Sequence, residues 1–270
     1  MITSTKNEQV KHAAELLKKA KTRNEEGLFV AEGARLCQEI PKERVERLFL
    51  SESFLKGSDG SRFLKQFEGC RTEEVSDSVF ASMADTRTPQ GVLAIVRQYA
   101  YTFDDMFPKG GAAHLMILES LQDPGNLGTI VRAGEGAGIT GVIMSRDTVD
   151  IYNPKVIRST MGSALRVPFL YTEDILEACA EVKKRGVRLY AAHLKGRNNY
   201  EQEDYTGNTG FLIGNEGNGL SDALSQTADA WVKIPMAGKV ESLNAAVAAS
   251  VLMFEAARQR RLSTDKGVSV

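Results

Sequence analysis

Residues Lys233–Ala257 read KIPMAGKVESLNAAVAASVLMFEAA. The stretch begins as a short apolar strand ending in Ile234-Pro235-Met236, where Pro235 withholds the backbone donor that a ladder needs. A loop with Gly238 follows, and Ser242-Leu243-Asn244 opens a helix. The Ser242 hydroxyl is suited to accept from an orphan N–H of the first turn, which predicts Ser242 as the N-cap. From Ala245 to Phe254 the helix is apolar on every side, with small residues between larger ones, and such a helix has to be buried on most faces. Read by itself, the stretch is either a capped core helix or a ligand loop fixed to the front of one.

The rest of the chain narrows the class. At 270 residues there is room for two domains or one large one, with material for a sizeable core. A formal charge of −1 argues against coating nucleic acid through bulk charge while leaving local basic patches open. Cys37, Cys70 and Cys179 are odd in number and widely spaced, which suits free thiols in a reducing, cytoplasmic setting. His12, His114 and His193 are equally scattered, so no metal site is expected. The chain shows no basic-then-apolar leader, and its longest apolar run falls short of the roughly 18 residues of a membrane span.

In chain order, Asn7–Lys21 has helical spacing, with Val10, Ala13, Ala14, Leu17 and Ala20 as its apolar stripe. The other faces carry Lys11, Lys18, Lys19, Lys21 and Arg23, either a solvated face or a surface for RNA phosphates. Strands at Gly27–Gly33, Val45–Leu50, Cys70–Val75 and Gly91–Val96, with short helices between, make residues 1–97 a small α/β unit. Residues 98–113 form a linker whose Tyr99, Tyr101, Phe103 and Phe107 either dock on a domain or offer a stacking platform for bases. From His114 strands and helices alternate through about residue 264, leaving 265–270 as a tail. Runs such as HLMILES and TGFLIG are continuously apolar, predicting a mostly parallel sheet with helices on both faces.

Gly136-Ala137-Gly138-Ile139-Thr140-Gly141 matches the dinucleotide pattern GxGxxG, but its glycines close a helix and lead into a strand. A C-cap and turn is the better reading. Three other clusters stand where strands end: Glu119–Arg132, with Asn126 and Arg132 six residues apart on one helix; Ile213–Ser221, a Gly-rich loop holding Glu216; and the opening stretch itself. In open α/β sheets ligands bind beyond the carboxyl ends of strands.

The ordered series NLGTIVR (126–132), LIGNEGNGLS (212–221) and IPMAGKVESLN (234–244), with its small-residue helix, resembles the SpoU (TrmH) family of RNA ribose 2′-O-methyltransferases of the SPOUT superfamily. The likeness covers about Leu115–Arg261. The segment NPKVIRSTMGSA (153–164) is also similar to a family stretch, and the VKHAAELLKKAKTR start with LFVAEG resembles the substrate-binding domain of ribosomal RNA members. The resemblance implies a deep trefoil knot, a homodimer and S-adenosyl-L-methionine as methyl donor. It implies Arg132, Asn126, Glu216, Ser242 and Asn244 as catalytic residues, and Ala192, Gly214, Ile234, Met236 and Leu243 as cofactor contacts. Arg158 joins the N-terminal cations as an RNA contact. A guanidinium is a demanding general base, so stabilisation of the developing alkoxide is the role expected of Arg132. His193 is expected to pack or to flank the adenine. A transfer RNA methylase and an inactive RNA-binding assembly factor are the alternatives.

Overall fold

A computed structural model describes residues 1–266, and the chain separates into two compact units. The first holds residues 1–99 and 150–165. It contains α1 (Glu8–Lys18), α2 (Ala20–Glu26), β1 (Leu28–Glu32), α3 (Ala34–Gln38), β2 (Val45–Ser51), α4 (Glu52–Lys56), α5 (Gly60–Gln66), β3 (Thr72–Val75), α6 (Asp77–Met83) and β4 (Val92–Arg97). The sheet runs β1-β4-β2-β3, with β4 antiparallel to both neighbours and β2 parallel to β3. Val10, Ala13 and Leu16 of α1 pack on Phe49, Leu93 and Ile95 of that sheet.

One long N-terminal helix was expected, and two are found. Lys19 adopts extended backbone (φ −117°, ψ 111°), so the register changes there and Ala20 is exposed rather than part of the stripe. The break turns Arg23 inward. Only 3% exposed, it donates through Nε (2.8 Å) and Nη2 (2.6 Å) to Asp150 and through Nη1 (2.7 Å) to the Leu16 carbonyl. Arg23 is therefore a structural cation fixing the 150–165 segment within this unit, and its expected role as an RNA contact is corrected.

The second unit holds residues 100–149 and 166 onward. It begins with β5 (His114–Leu118), α7 (Pro124–Ala137) and β6 (Gly141–Ser145). The chain then contributes α8 (Pro154–Ser159) to the first unit and returns with β7 (Phe169–Thr172), α9 (Ile175–Lys184) and β8 (Arg188–Ala192). Two-residue β9 (Asn198–Asn199), β10 (Thr209–Ile213), α10 (Asp222–Thr227), β11 (Ala230–Lys233) and α11 (Ala245–Lys266) complete it. The predicted tail begins inside α11, and residues 267–270 lie outside the described residues.

All pairings of the seven-stranded sheet, β7-β6-β5-β10-β8-β11-β9, are parallel. The chain lays β5, β6 and β7 outward in one direction and β8 on the far side of β10, so the order reverses beside β5 and β10. Every residue of β5, β6 and β10 is buried, as their continuous apolar runs predicted. Of the predicted linker aromatics in this unit, Phe103 and Phe107 pack on its core and flank the Arg185 guanidinium, while Tyr101 meets Phe169 edge-on. Gly138 closes α7 in the left-handed region (φ 75°) ahead of β6, the C-cap expected of the GxGxxG look-alike.

α11 packs on α7 closely, since a Cβ on Gly134 would lie 2.3 Å from Ile139 Cδ1 and 3.3 Å from Met253 Sδ. Its burial is one-sided, however. Val247, Phe254 and Leu262 are 48%, 46% and 48% exposed, so within one chain the helix is not enclosed all round. At its far end Arg260 donates to the carbonyls of Ala112, Ala113, Tyr205 and Gly207, tying the helix to the starts of β5 and β10.

Next to that clamp His114 is fully buried, and neither ring nitrogen has a hydrogen-bond partner among the described residues. Burial, reinforced by the Arg260 cation, pushes the imidazole down to about 3. The folded value lies below the unfolded one of about 6.5, so the unfolded state takes up the extra proton between these limits and stability falls with acid. The slope from this group is at most about 1.4 kcal/mol per pH unit. Urea unfolding between pH 6.5 and 5 should show His114→Leu with a flatter loss of stability than the wild type; parallel lines would refute the assignment.

Candidate active site

The carboxyl ends of β8, β10 and β11 and the start of α11 enclose a cavity of about 290 Å³, near the lower end of the ~300–1,000 Å³ typical of ligand pockets. The five predicted cofactor contacts, Ala192, Gly214, Ile234, Met236 and Leu243, all line it. Its apolar wall includes Leu220 and Leu252, and Ala245 and Ala248 keep the α11 side low. Glu216 and Glu241 bring carboxylates to the lining, a match for a ligand that carries an apolar ring system and a positive centre.

The loop after β10 is folded very tightly. Asn215 and Gly219 exchange both backbone hydrogen bonds (3.0 and 2.9 Å), and Gly219 takes φ 70°. Asn215 Oδ1 accepts from the N–H groups of Gly217 (2.9 Å) and Asn218 (3.1 Å), while its Nδ2 donates to the Ser120 carbonyl (2.8 Å). The last bond joins this loop to the one after β5. Glu119 strengthens the join by accepting from Ser221 N–H and hydroxyl, both at 2.7 Å.

Glu216 is the electrostatic hub. Its carboxylate accepts from the N–H groups of Gln122 (3.0 Å) and Asp123 (2.9 Å) and from Asn126 Nδ2 (3.0 Å). Burial raises its proton affinity, but the bonds from Asn126, Gln122 and Asp123 outweigh this and hold the carboxyl below its ordinary range. An ionised carboxylate only accepts, so Asn126 must present its NH2 to Glu216 and its Oδ1 elsewhere. That Oδ1 accepts from Asn244 Nδ2 at 2.9 Å. Asn244 in turn uses its Oδ1 to accept from Ala246 (2.9 Å) and Val247 (3.3 Å), which caps α11. One negative charge thus orients two amides and a helix start.

Asn244 is therefore the N-cap, and the expectation that Ser242 fills that role is corrected. The helix begins two residues later than Ser242 would require, and the Asn244 carbonyl accepts from Ala248 at 2.9 Å. Ser242 is exposed and lines the cavity. Asn126 is set by its own cap, Asp123, whose Oδ1 accepts from Asn126 N–H at 2.8 Å ahead of Pro124 at the helix start. Arg132 stands six residues along α7, exposed, and makes no hydrogen bond or ion pair among the described residues. His193 lines the cavity and stacks on Trp231 at 4.2 Å, its Nδ1 accepting from Lys195 N–H.

The model of the SpoU rRNA Methylase family matches residues 113–254, and an MRM3-like substrate binding domain matches residues 7–94. The chain belongs to the SpoU rRNA methylase family. Its relatives include the 23S rRNA (guanosine(2553)-2′-O)-methyltransferase RlmP of Bacillus subtilis (strain 168), 30% identical over 94% of this chain and 97% of the relative. Among solved structures, the SpoU methyltransferase AviRb from Streptomyces viridochromogenes with the cofactor AdoMet is 28% identical at a TM-score of 0.86, covering 95% and 99% of the two chains. An AdoMet-bound rRNA methyltransferase from Sinorhizobium meliloti is 30% identical at 0.82, covering 95% and 97%.

In this SpoU-family chain, the sequence had not singled out Glu119 and Asn215 although both lie inside quoted motifs. Their roles rest on partners some 95 to 102 residues away, which no local pattern exposes. Of the predicted RNA contacts, Lys11, Lys18, Lys19 and Lys21 are exposed, with Lys11, Lys19 and Lys21 near Glu8, Glu15 and Glu25. Arg158 is half-buried and pairs with Asp85.

Proposed function

We propose that this SpoU-family enzyme methylates a ribose 2′-hydroxyl in ribosomal RNA, in the cytoplasm, with S-adenosyl-L-methionine as donor. The observation that carries the reading is the Glu216–Asn126–Asn244 chain of hydrogen bonds beside a cavity lined by the five expected cofactor contacts. The relative RlmP acts on 23S rRNA, and the AviRb and S. meliloti structures hold AdoMet. When bound, the donor's sulfonium supplies an electrophilic methyl group. The residues then have to orient, exclude water and stabilise charge. Glu216 and the two asparagines make the loops after β5 and β10 and the start of α11 one rigid frame, so the acceptor meets a prearranged site. Arg132, a cation with no competing partner among the described residues, is assigned to the substrate phosphate and to the alkoxide that develops as the 2′-proton leaves. Residues 1–97 are assigned to RNA binding together with the 150–165 segment that joins their unit, 98–113 to the linker and the rest of 114–264 to catalysis, with α11 threaded through a trefoil knot.

Labelled S-adenosylmethionine should transfer its methyl group to ribosomal RNA, and nuclease mapping should place it on a ribose. Label on transfer RNA alone would move the substrate class, and no label on either would end the reading. The open stripe of Val247, Phe254 and Leu262 is assigned to a second copy of the chain. Sedimentation should give a dimer for the wild type and a monomer for Phe254→Glu; a wild-type monomer would remove the dimer from the proposal.

A further inference from the structure

A second cavity, of about 400 Å³, lies within the first unit, between α3, the loop before β4 and the end of α8. Arg35 and Arg158 are its cations, Leu36, Ile157 and Met161 its apolar lining, and Thr88 and Gln90 its neutral polar groups. Three observations mark it as a ligand site. Arg35 is exposed and has no hydrogen bond or ion pair among the described residues. The two carboxylates of the lining, Glu32 and Glu39, are already engaged, Glu32 accepting from Asp85 N–H (2.9 Å) and the Thr86 hydroxyl, and neighbouring Asp85 pairs with Arg158. Met161 is 52% exposed and holds φ 51°, a backbone region that non-glycine residues seldom occupy without a reason.

An apolar floor with guanidinium groups beside it matches a nucleotide, whose base can rest on apolar side chains and whose phosphate needs a fork of N–H donors. The volume suits a single unstacked residue, not the edge of a duplex. We propose that this cavity holds one splayed-out nucleotide of the substrate RNA, its phosphate on Arg35 and Arg158 and its base over Met161 and Leu36. Asp85 occupies one donor of Arg158 and leaves others of its five for the phosphate. The inference rests on the RNA-methyltransferase reading and adds to it a point of recognition that joins the NPKVIRSTMGSA segment to the N-terminal fold.

The test uses the full-length protein, Arg35→Gln, Met161→Gly and Met161→Leu, with a ribosomal RNA transcript in filter binding across a range of KCl. Glycine accepts φ 51° without strain, so Met161→Gly removes the apolar face and spares the fold. Arg35→Gln should weaken RNA binding and make the slope of log affinity against log salt shallower by about 0.7, one single-strand phosphate contact. Met161→Gly should raise KM for RNA about fivefold, the scale of losing one or two methylenes of apolar contact with the base. Met161→Leu should restore it, and kcat and S-adenosylmethionine affinity should hold throughout. Wild-type affinity and salt slope in Arg35→Gln and Met161→Gly, in a protein that still methylates RNA, would overturn the cavity assignment alone. Saturation of the cavity by millimolar GMP with RNA binding undisturbed would overturn it too, naming a free nucleotide as ligand. A wild-type protein that neither binds nor methylates RNA would bring down both readings.

Discussion

Arg132→Ala should lose about 10²-fold or more in kcat, the scale for removing one group that stabilises charge in a transition state. Binding of S-adenosylmethionine and thermal unfolding should stay close to wild type. The separation follows from where Arg132 sits: it is exposed on α7, supports no neighbour through a hydrogen bond among the described residues, and is absent from the cavity lining. Its removal leaves no orphan, and an exposed side chain of this kind shifts stability by only about 0.5 kcal/mol. Arg132→Lys keeps the charge but not the planar fork, so it should fall between the two. Single-turnover kinetics with saturating RNA read the chemical step directly. A loss below about tenfold would remove Arg132 from the reaction, because a tenfold change is only 1.4 kcal/mol of barrier.

Gly214→Ala should abolish measurable binding of S-adenosylmethionine and lower stability as well. A Cβ there would sit 2.1 Å from the Gly219 carbonyl carbon, 2.2 Å from its oxygen and 2.2 Å from Leu220 N. All three are backbone atoms of the facing limb, so no rotamer change relieves the clash. The Asn215–Gly219 pairing has to open, and Glu216 moves with it. Gln122, Asp123 and Asn126 then lose their acceptor, and the α11 cap is loosened through Asn244. Overpacking costs about 1–3 kcal/mol in itself, and the larger effect falls on the cavity that the loop lines. Gly217→Ala is the internal control, since its Cβ would meet only Asn215 Oδ1 at 3.5 Å, an ordinary contact. Calorimetric titration of both variants decides the matter; equal affinities would mean the loop is not part of the donor site.

Much of this was legible in the residues. Alternation of apolar runs with helices predicted the parallel sheet, because strands covered on both faces have to be apolar throughout. The clusters around Asn126, Glu216 and Asn244 were legible as loops at strand ends. Their meeting depends on β5 and β10 being neighbours, and that adjacency is a property of sheet order rather than of any segment. The cap was misplaced for a related reason: Ser242 and Asn244 are both good caps by type, and only Asn126, 118 residues away, decides between them. Arg23 shows the limit most plainly. It sits in a lysine-rich helical stretch and reads as one more solvated cation, yet Asp150, 127 residues on, draws it inward. Burial of a charge is decided by its partner, and a distant partner leaves no local trace.

The Arg260 clamp bears on how the protein comes into being. Its guanidinium reaches carbonyls 147 and 148 residues earlier in the chain, and the helix that carries it supplies one wall of the 290 Å³ cavity. Contacts of such sequence separation form late, since the intervening chain must be gathered before they repay its ordering. During synthesis the sheet can assemble strand by strand, but the wall that α11 supplies can be added only after every strand has been made. The cavity is then complete only once α11 has docked, so a nascent chain that has reached β11 has no finished site. On the proposed assignment of this cavity, cofactor binding follows the docking of α11 and is a late event in folding.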